Sequence, residues 1–288
     1  MDAVRVLVLG ASGRLGRIIA RGWQGSAMDA IWQLRAPSAQ TLAGTQMVWD
    51  TLVGQMPEVG TVDVVLGLAG VVPGAYANLS LNTDLALAAL NAAATTGAKH
   101  VFVTSSAAIY GSKPGRYAEA ATPQPDTPYG HAKQAMEAAV AGARAALPAG
   151  VTCLRIGNVA GADALLGTSA RRWRRERGAP IGLDRFADGQ GPRRSYIGPG
   201  DLADIMAHLC ALGANGTPLP AVLNVAAPGQ VAMKDLVAAA GVDWSWRPAP
   251  RGAVPELVLD VEQLSRLYRF APDASDATRI VAQWDAML

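Results

Sequence analysis

Hydrophobic positions in the first 160 residues fall into short unbroken blocks separated by longer stretches of mixed character. VRVLVLG (4–10), AIWQLR (30–35), MVWD (47–50), DVVLGLAG (63–70), HVFVTSS (100–106) and VTCLRIG (151–157) are short and apolar, and most are β-branched. Blocks of that length and make-up read as strands buried on both faces. Helical stretches fill the gaps: Leu15 to about Trp23, LSLNTDLALAALNAAATTG (79–97), and an alanine-rich run starting at Tyr129. Alternation of this kind predicts a parallel, doubly wound α/β sheet. Beyond Asn158 the regularity lapses. Arginines cluster at 171–177, Gly and Pro punctuate 178–200, and AVLNVA (221–226) and PELVLD (255–260) are short strands among helices. The expected organisation is a sheet domain over 1–159 and a smaller lobe over 160–288, interleaved with the sheet.

Composition narrows the picture. Half of the 288 residues are hydrophobic and 17% are charged, enough for a sizeable core. The net charge of +2 gives no global pull toward nucleic acid or a membrane surface. No apolar run approaches the ~18 residues of a membrane span. The start, MDAVRVLVLG, enters a strand without the pattern of a secretory leader. Cys153 and Cys210 lie far apart, fit no metal spacing and read as buried small hydrophobes in a reducing compartment. A soluble, cytoplasmic protein without a metal site is expected. SARRWRRERGA (169–179) places five arginines around a tryptophan. A single short basic run of this kind is first a solvated helix face, second an anionic-substrate contact, and only last a nucleic-acid contact.

Between the first strand and first helix lies LGASGRLG, with Gly10, Gly13 and Gly16 at three-residue spacing. Glycines allow a tight turn and close approach of the backbone to a pyrophosphate, and the helix start offers free N–H groups at the positive end of its dipole. In an alternating α/β chain this is the dinucleotide-binding turn of a Rossmann fold, with Ser12, Arg14 and Leu15 among its contacts. The second strand ends QLRAPS, with Arg35 where an acid commonly binds the adenine ribose of NAD. A guanidinium there suits a 2′-phosphate, and Arg14 could share it. NADP is therefore expected ahead of NAD.

YGHAK puts Tyr129 and Lys133 four positions apart, which on any helix makes neighbours and alone says little. Together with the glycine turn and the serine-bearing VTSSAAIYG (103–111), the chain resembles the extended short-chain dehydrogenase/reductases, the NAD(P)-dependent epimerase/dehydratases. The likeness covers nearly the whole chain, and its pattern is nearest to nucleotide-sugar 4-epimerases and reductases. It implies Ser106, Tyr129 and Lys133 as the catalytic group. It also implies cofactor contacts from Asp50 and Thr51, from Leu68, Ala69 and Gly70 of GLAG, and from Asn82. LRIGNVAGAD (154–163) and GPRRSYIGPGDLA (191–203) resemble nucleotide-sugar-binding segments, which implies Asn158 and Arg194 on the substrate, with Arg251 as a further diphosphate contact.

In the family scheme Tyr129 takes the hydroxyl proton as hydride moves to the nicotinamide. Lys133 favours the phenolate and holds the nicotinamide ribose, and Ser106 hydrogen-bonds the reacting oxygen. Ala107 and Ala108 replace the Asp-Glu pair of the 4,6-dehydratases and the cysteine of the 3,5-epimerases. Gly67 replaces a family histidine, and Ser195 an acid. Reduction, oxidation or C4 epimerisation therefore stands ahead of elimination. Two other readings remain open: an NADP-dependent reductase of a non-nucleotide carbonyl or alcohol, and a dinucleotide-sensing module without turnover. The alanine-rich helices suggest a homodimer.

Overall fold

The computed structural model describes residues 3–37 and 42–288. The first half runs β1 (Val4–Leu9), α1 (Arg14–Gly22), β2 (Met28–Leu34), β3 (Thr45–Val48), β4 (Val64–Gly67), α2 (Leu81–Thr96), β5 (His100–Ser106), β6 (Gly115–Tyr117), α3 (Pro128–Arg144) and β7 (Gly150–Ile156). The rest comprises β8 (Asn158–Val159), α4 (Arg171–Glu176), β9 (Ile181–Arg185), β10 (Arg193–Arg194), β11 (Tyr196–Ile197), α5 (Pro199–Ala214) and β12 (Val222–Val225). β13 (Val231–Ala232), α6 (Met233–Ala239), β14 (Trp244–Pro248), β15 (Glu256–Leu259), α7 (Glu262–Leu267) and α8 (Ala277–Ala286) complete it.

Seven strands form the main sheet in the order β12-β7-β5-β4-β1-β2-β3. β1 pairs in parallel with β2 on one side and β4 on the other, and β2–β3 and β4–β5 are parallel too. Every block read as a strand from the sequence lies in this sheet or, for 255–260, in β15. Val6, Leu7, Val8, Val64, Val65 and Leu66 are wholly buried, as strands covered by helices on both faces require. The strand order reverses at β1, so the turn after β1 sits at the topological switch point, where doubly wound sheets bind ligands.

The chain forms two compact units: residues 1–109, 123–155 and 203–223, and residues 110–122, 156–202 and 224–288. The first holds most of the sheet. Its core joins Leu7, Leu9, Val65 and Val101 to the alanines of α2 and to Met136 and Val140 of α3. Small side chains let α2 approach the sheet closely. The second unit contains a four-stranded sheet, β13-β10-β15-β6, and two strand pairs, β8–β11 and β9–β14. Leu166, Trp173, Tyr196, Leu236 and Trp284 are among its core. Asn224 is fully buried there, and its carboxamide and its N–H all have partners. Its Oδ1 accepts from the Tyr110 hydroxyl, its Nδ2 donates to the Tyr117 and Asp260 carbonyls, and its N–H donates to Glu119. No helix among the described residues is long and apolar enough to cross a membrane, and no described group of His, Cys, Asp and Glu could hold a metal.

In the arginine cluster Arg171, Arg172, Arg175 and Arg177 are exposed, as a solvated face requires, and Arg174 is half-buried. Arg174 donates to the Ala240 carbonyl and stacks on Trp284 at 4.3 Å, Arg177 stacks on Trp173 at 4.8 Å, and Arg175 pairs with Glu176 at 2.7 Å. Arg174 ties α4 to α6 and α8, a packing role stronger than the solvated face expected from the sequence.

His100, at the start of β5, shows how burial sets a pH limit. The Thr152 hydroxyl gives its single hydrogen to the Pro220 carbonyl at 2.7 Å, so toward His100 Nε2, 3.0 Å away, it can only accept. Nε2 therefore carries a proton and donates it to Thr152. A Cβ on Gly150 would stand 2.4 Å from Nδ1, so Gly150 packs directly against the ring, which is 4% exposed. Burial, assisted by Arg144, lowers the His100 pKa from 6.5 to about 4. Between those values the unfolded chain binds a proton that the folded one refuses, so stability falls as pH drops from 6.5 toward 4. The loss is about 3 kcal/mol at the low end. Urea titrations at pH 7 and pH 4.5 should show the decline, and His100→Gln should flatten it.

Candidate active site

The glycine turn is built for close approach. Gly10 has φ +86, and a Cβ there would lie 2.6 Å from the backbone nitrogen of Ala69. A Cβ on Gly16 would lie 2.4 Å from the Gly10 carbonyl, so α1 begins pressed against the turn. Gly13 is the N-cap of α1 and supplies no side-chain cap, nor does the first turn hold an acid. The nine-residue helix thus starts without a side-chain cap, and Ser12, Gly13 and Arg14 are exposed at the positive end of its dipole, where an anion is favoured. The geometry fits the pyrophosphate of a dinucleotide.

Around that turn the residues proposed for the cofactor divide into two kinds. Arg35 is exposed just past β2, and Thr51 is half-buried. Asp50 already accepts from the Leu52 N–H at 3.1 Å, which fixes its carboxylate. Leu68 continues from β4 and donates its N–H to the Leu9 carbonyl at 2.9 Å, placing Ala69 against Gly10. Asn82 is buried, and its carboxamide grips the backbone of Val71, accepting from its N–H at 3.1 Å and donating to its carbonyl at 3.0 Å. It shapes the loop after GLAG. At Gly70 a Cβ would stand 3.2 Å from Asn82 Oδ1 and 3.5 Å from Lys133 Nζ, so this loop carries the site from the glycine turn to the lysine.

Ser106, Tyr129 and Lys133 come together in the same unit. Thr127 caps α3 by accepting from the Gly130 N–H at 3.1 Å, and Pro128 occupies the first turn. A Cβ on Gly130 would lie 2.5 Å from the Ala108 carbonyl. The start of α3 therefore docks on the 3₁₀ turn following Ser106 (Ala107–Tyr110), which lets the Tyr129 phenol hydrogen-bond the Ser106 hydroxyl. Gly130 is as necessary to this arrangement as the residues flanking it, and the only sequence sign of it was its place inside YGHAK.

Lys133 is 3% exposed, donates to the Thr104 carbonyl at 2.8 Å and lies 5.8 Å from the centre of the Tyr129 ring. Burial lowers its pKa to about 8, against the upward pull of Cys153 and Glu137. One turn further along α3, Glu137 forms a buried pair with Arg155 at 2.7 Å. For Tyr129 the protein's own surroundings oppose the phenolate that Lys133 and an oxidised nicotinamide together are expected to favour. Burial raises the phenol above its usual 10 more than the Ser106 hydrogen bond lowers it.

In the second unit, Asn158 donates Nδ2 to the Ser195 carbonyl at 3.2 Å. Arg194 is half-buried and donates to the Val254 carbonyl at 2.8 Å, and burial lowers its pKa. Arg251 stands exposed on a turn, and no described contact joins it to Asn158 or Arg194. The same unit contains a cavity of about 560 Å³ whose lining includes Leu165, Arg172, Trp173, Leu183, Asp184 and Arg247; Arg172 and Trp173 belong to the basic run 169–179, whose second expected use was an anionic-substrate contact.

A family model, described as the NAD dependent epimerase/dehydratase family, matches residues 6–226. The chain belongs to that family. No curated protein matches this epimerase/dehydratase at a significant level. Among solved structures, the UDP-Glc/GlcNAc 4-epimerase from Campylobacter jejuni is 19% identical, with a TM-score of 0.79 over 99% of this chain and 100% of that one. A UDP-glucose 4-epimerase from Brucella ovis in complex with NAD is 20% identical, with a TM-score of 0.78 over 97% and 96%. TunA, an NAD dependent NDP-hexosamine 5,6-dehydratase of tunicamycin biosynthesis, is 20% identical, with a TM-score of 0.76 over 99% and 98%. At these identities the likeness is one of fold.

Proposed function

We propose that this family member is an NAD(P)-dependent oxidoreductase or C4 epimerase of a nucleotide sugar. The observation that carries the reading is the Ser106–Tyr129–Lys133 group, joined through Gly70 and Ala69 to an uncapped glycine turn. When bound, the nicotinamide supplies the hydride acceptor and, in its oxidised form, a positive charge. Tyr129 takes up or returns the hydroxyl proton at its phenolic oxygen. Ser106 hydrogen-bonds the reacting oxygen, and Lys133 holds the nicotinamide ribose. Ala107 and Ala108, in the turn beside Tyr129, carry no proton-transferring group, which favours hydride transfer over elimination.

The nucleotide-sugar part rests on family membership, on Asn158 and Arg194, with Arg251 secondary, and on the second unit's cavity, where Arg172 and Trp173 offer charge and an aromatic face. A ligand of the folded state raises the melting temperature. UDP-, GDP- or dTDP-sugars added with cofactor should therefore do so, whereas a shift only with non-nucleotide carbonyl compounds supports the reductase alternative. The intact catalytic group argues against a sensing module.

For the cofactor we favour NADP. Arg35 is exposed, and no described residue pairs with it. NADPH should bind more tightly than NADH by fluorescence titration, and Arg35→Asp should erase the preference. Equal affinities in the parent would defeat the assignment. The alanine-rich α2 and α3 support a homodimer, to be read by light scattering at micromolar concentration. Two free, buried cysteines support a cytoplasmic setting.

A further inference from the structure

β2 contains a residue that its surroundings do not call for. Ala30, Ile31, Trp32 and Leu34 are buried apolar side chains, yet Gln33 between them is 3% exposed. A buried carboxamide persists only when both its ends find partners. Here the Oε1 accepts from the Gly10 N–H at 2.8 Å, and the Nε2 donates to the Trp49 carbonyl. The main chain repeats the link. The Ala11 N–H donates to the Gln33 carbonyl at 3.1 Å, and the Trp49 N–H to the Leu34 carbonyl at 2.8 Å.

These bonds join two separate segments. Gly10 opens the glycine turn, and Ala69 behind it leaves no room for a side chain there. Trp49 immediately precedes Asp50, whose carboxylate the Leu52 N–H holds. In the dinucleotide reading the first segment takes the pyrophosphate and the second, through Asp50, the adenine, so a single side chain would set the spacing between the contacts for the cofactor's adenosine-diphosphate half. We propose that Gln33 is a positioning residue for that half, with its carboxamide bridging Gly10 and Trp49 to fix the geometry in which the two segments receive the dinucleotide. The assignment rests on the dinucleotide reading above. It is independent of Arg35, which concerns only the 2′-phosphate.

Gln33→Met keeps length and volume and removes both hydrogen bonds. Calorimetric titration well below the melting temperature should show NADH, NADPH and ADP-ribose each binding about tenfold more weakly, the equivalent of two modest hydrogen bonds. The factor should be the same for all three, because the defect lies in the part they share. Gln33→Glu keeps the acceptor for Gly10 and loses the amide donor to Trp49. It should weaken the same three ligands and provides the measurement if the methionine variant does not fold. A lowered melting temperature with parental affinities would make Gln33 part of the scaffold only and overturn the proposal. So would weakened NADH beside unchanged ADP-ribose. If the parent protein binds none of the three, the dinucleotide reading itself fails and takes this proposal with it, whereas failure of Gln33 alone leaves the parent's binding intact.

Discussion

Tyr129→Phe should fold as the parent does, bind cofactor with nearly parental affinity, and transfer hydride about 10²- to 10⁴-fold more slowly. The ring sits half-buried in the first turn of α3, and phenylalanine fills the same space. The one interaction removed is the hydrogen bond to Ser106, which touches neither the glycine turn nor Lys133. Because burial holds the phenol above its usual pKa, the proton must leave against that bias, and the charges of Lys133 and of the oxidised nicotinamide are the influences favouring the phenolate. The parent rate of alcohol oxidation should therefore rise with pH across the neutral range, and the variant should lose that rise. Single-turnover rates with saturating cofactor provide the measurement. A Tyr129→Phe enzyme working at the parental rate would reduce Tyr129 to one face of a helix.

The sequence made the sheet legible because its strands are covered on both faces. Continuous apolar blocks such as VRVLVLG and HVFVTSS have no exposed face to break their pattern, and all lie in the seven-stranded sheet. The short strands β8, β10 and β11 were not visible. Two residues carry no periodicity, and pairs such as Tyr196 with Asn158 form between distant segments. The candidate site divides in the same way. The spacing of Gly10, Gly13 and Gly16 follows from local backbone needs, and so does that of Tyr129 and Lys133. What holds those residues in place depends on remote main-chain atoms that side-chain patterns do not report. Thr104 binds Lys133 through its carbonyl, Gly130 is set by the Ala108 carbonyl, and Gln33 bridges the amide of Gly10 and the carbonyl of Trp49. Sequence spacing gives the distance between Tyr129 and Lys133 but says nothing of how much water either retains.

Lys133→Met should separate stability from function more sharply than any other change in this chain. Methionine matches the length of the buried stem, so little packing is lost. Removing the ammonium leaves the Thr104 carbonyl short of a partner, at a cost of about 1–3 kcal/mol. It also removes a charge that burial disfavours, as the fall of the Lys133 pKa to about 8 records. The two effects oppose each other, and the melting temperature should stay within about 5 °C of the parent. Function should not survive so well, because one ammonium is assigned both the nicotinamide ribose and the support of the phenolate. Cofactor affinity should fall about tenfold or more, and hydride transfer by about 10²-fold or more even at saturation. The parent also supplies its own control. Above pH 8 the lysine gives up its proton, so parental cofactor affinity should weaken as pH rises through that value, while the methionine variant, with nothing to titrate there, should show no such limb. Calorimetry at pH 7 and pH 9 on both proteins reads this directly. Parallel curves would mean that Lys133 is held by Thr104 for packing and does not hold the cofactor.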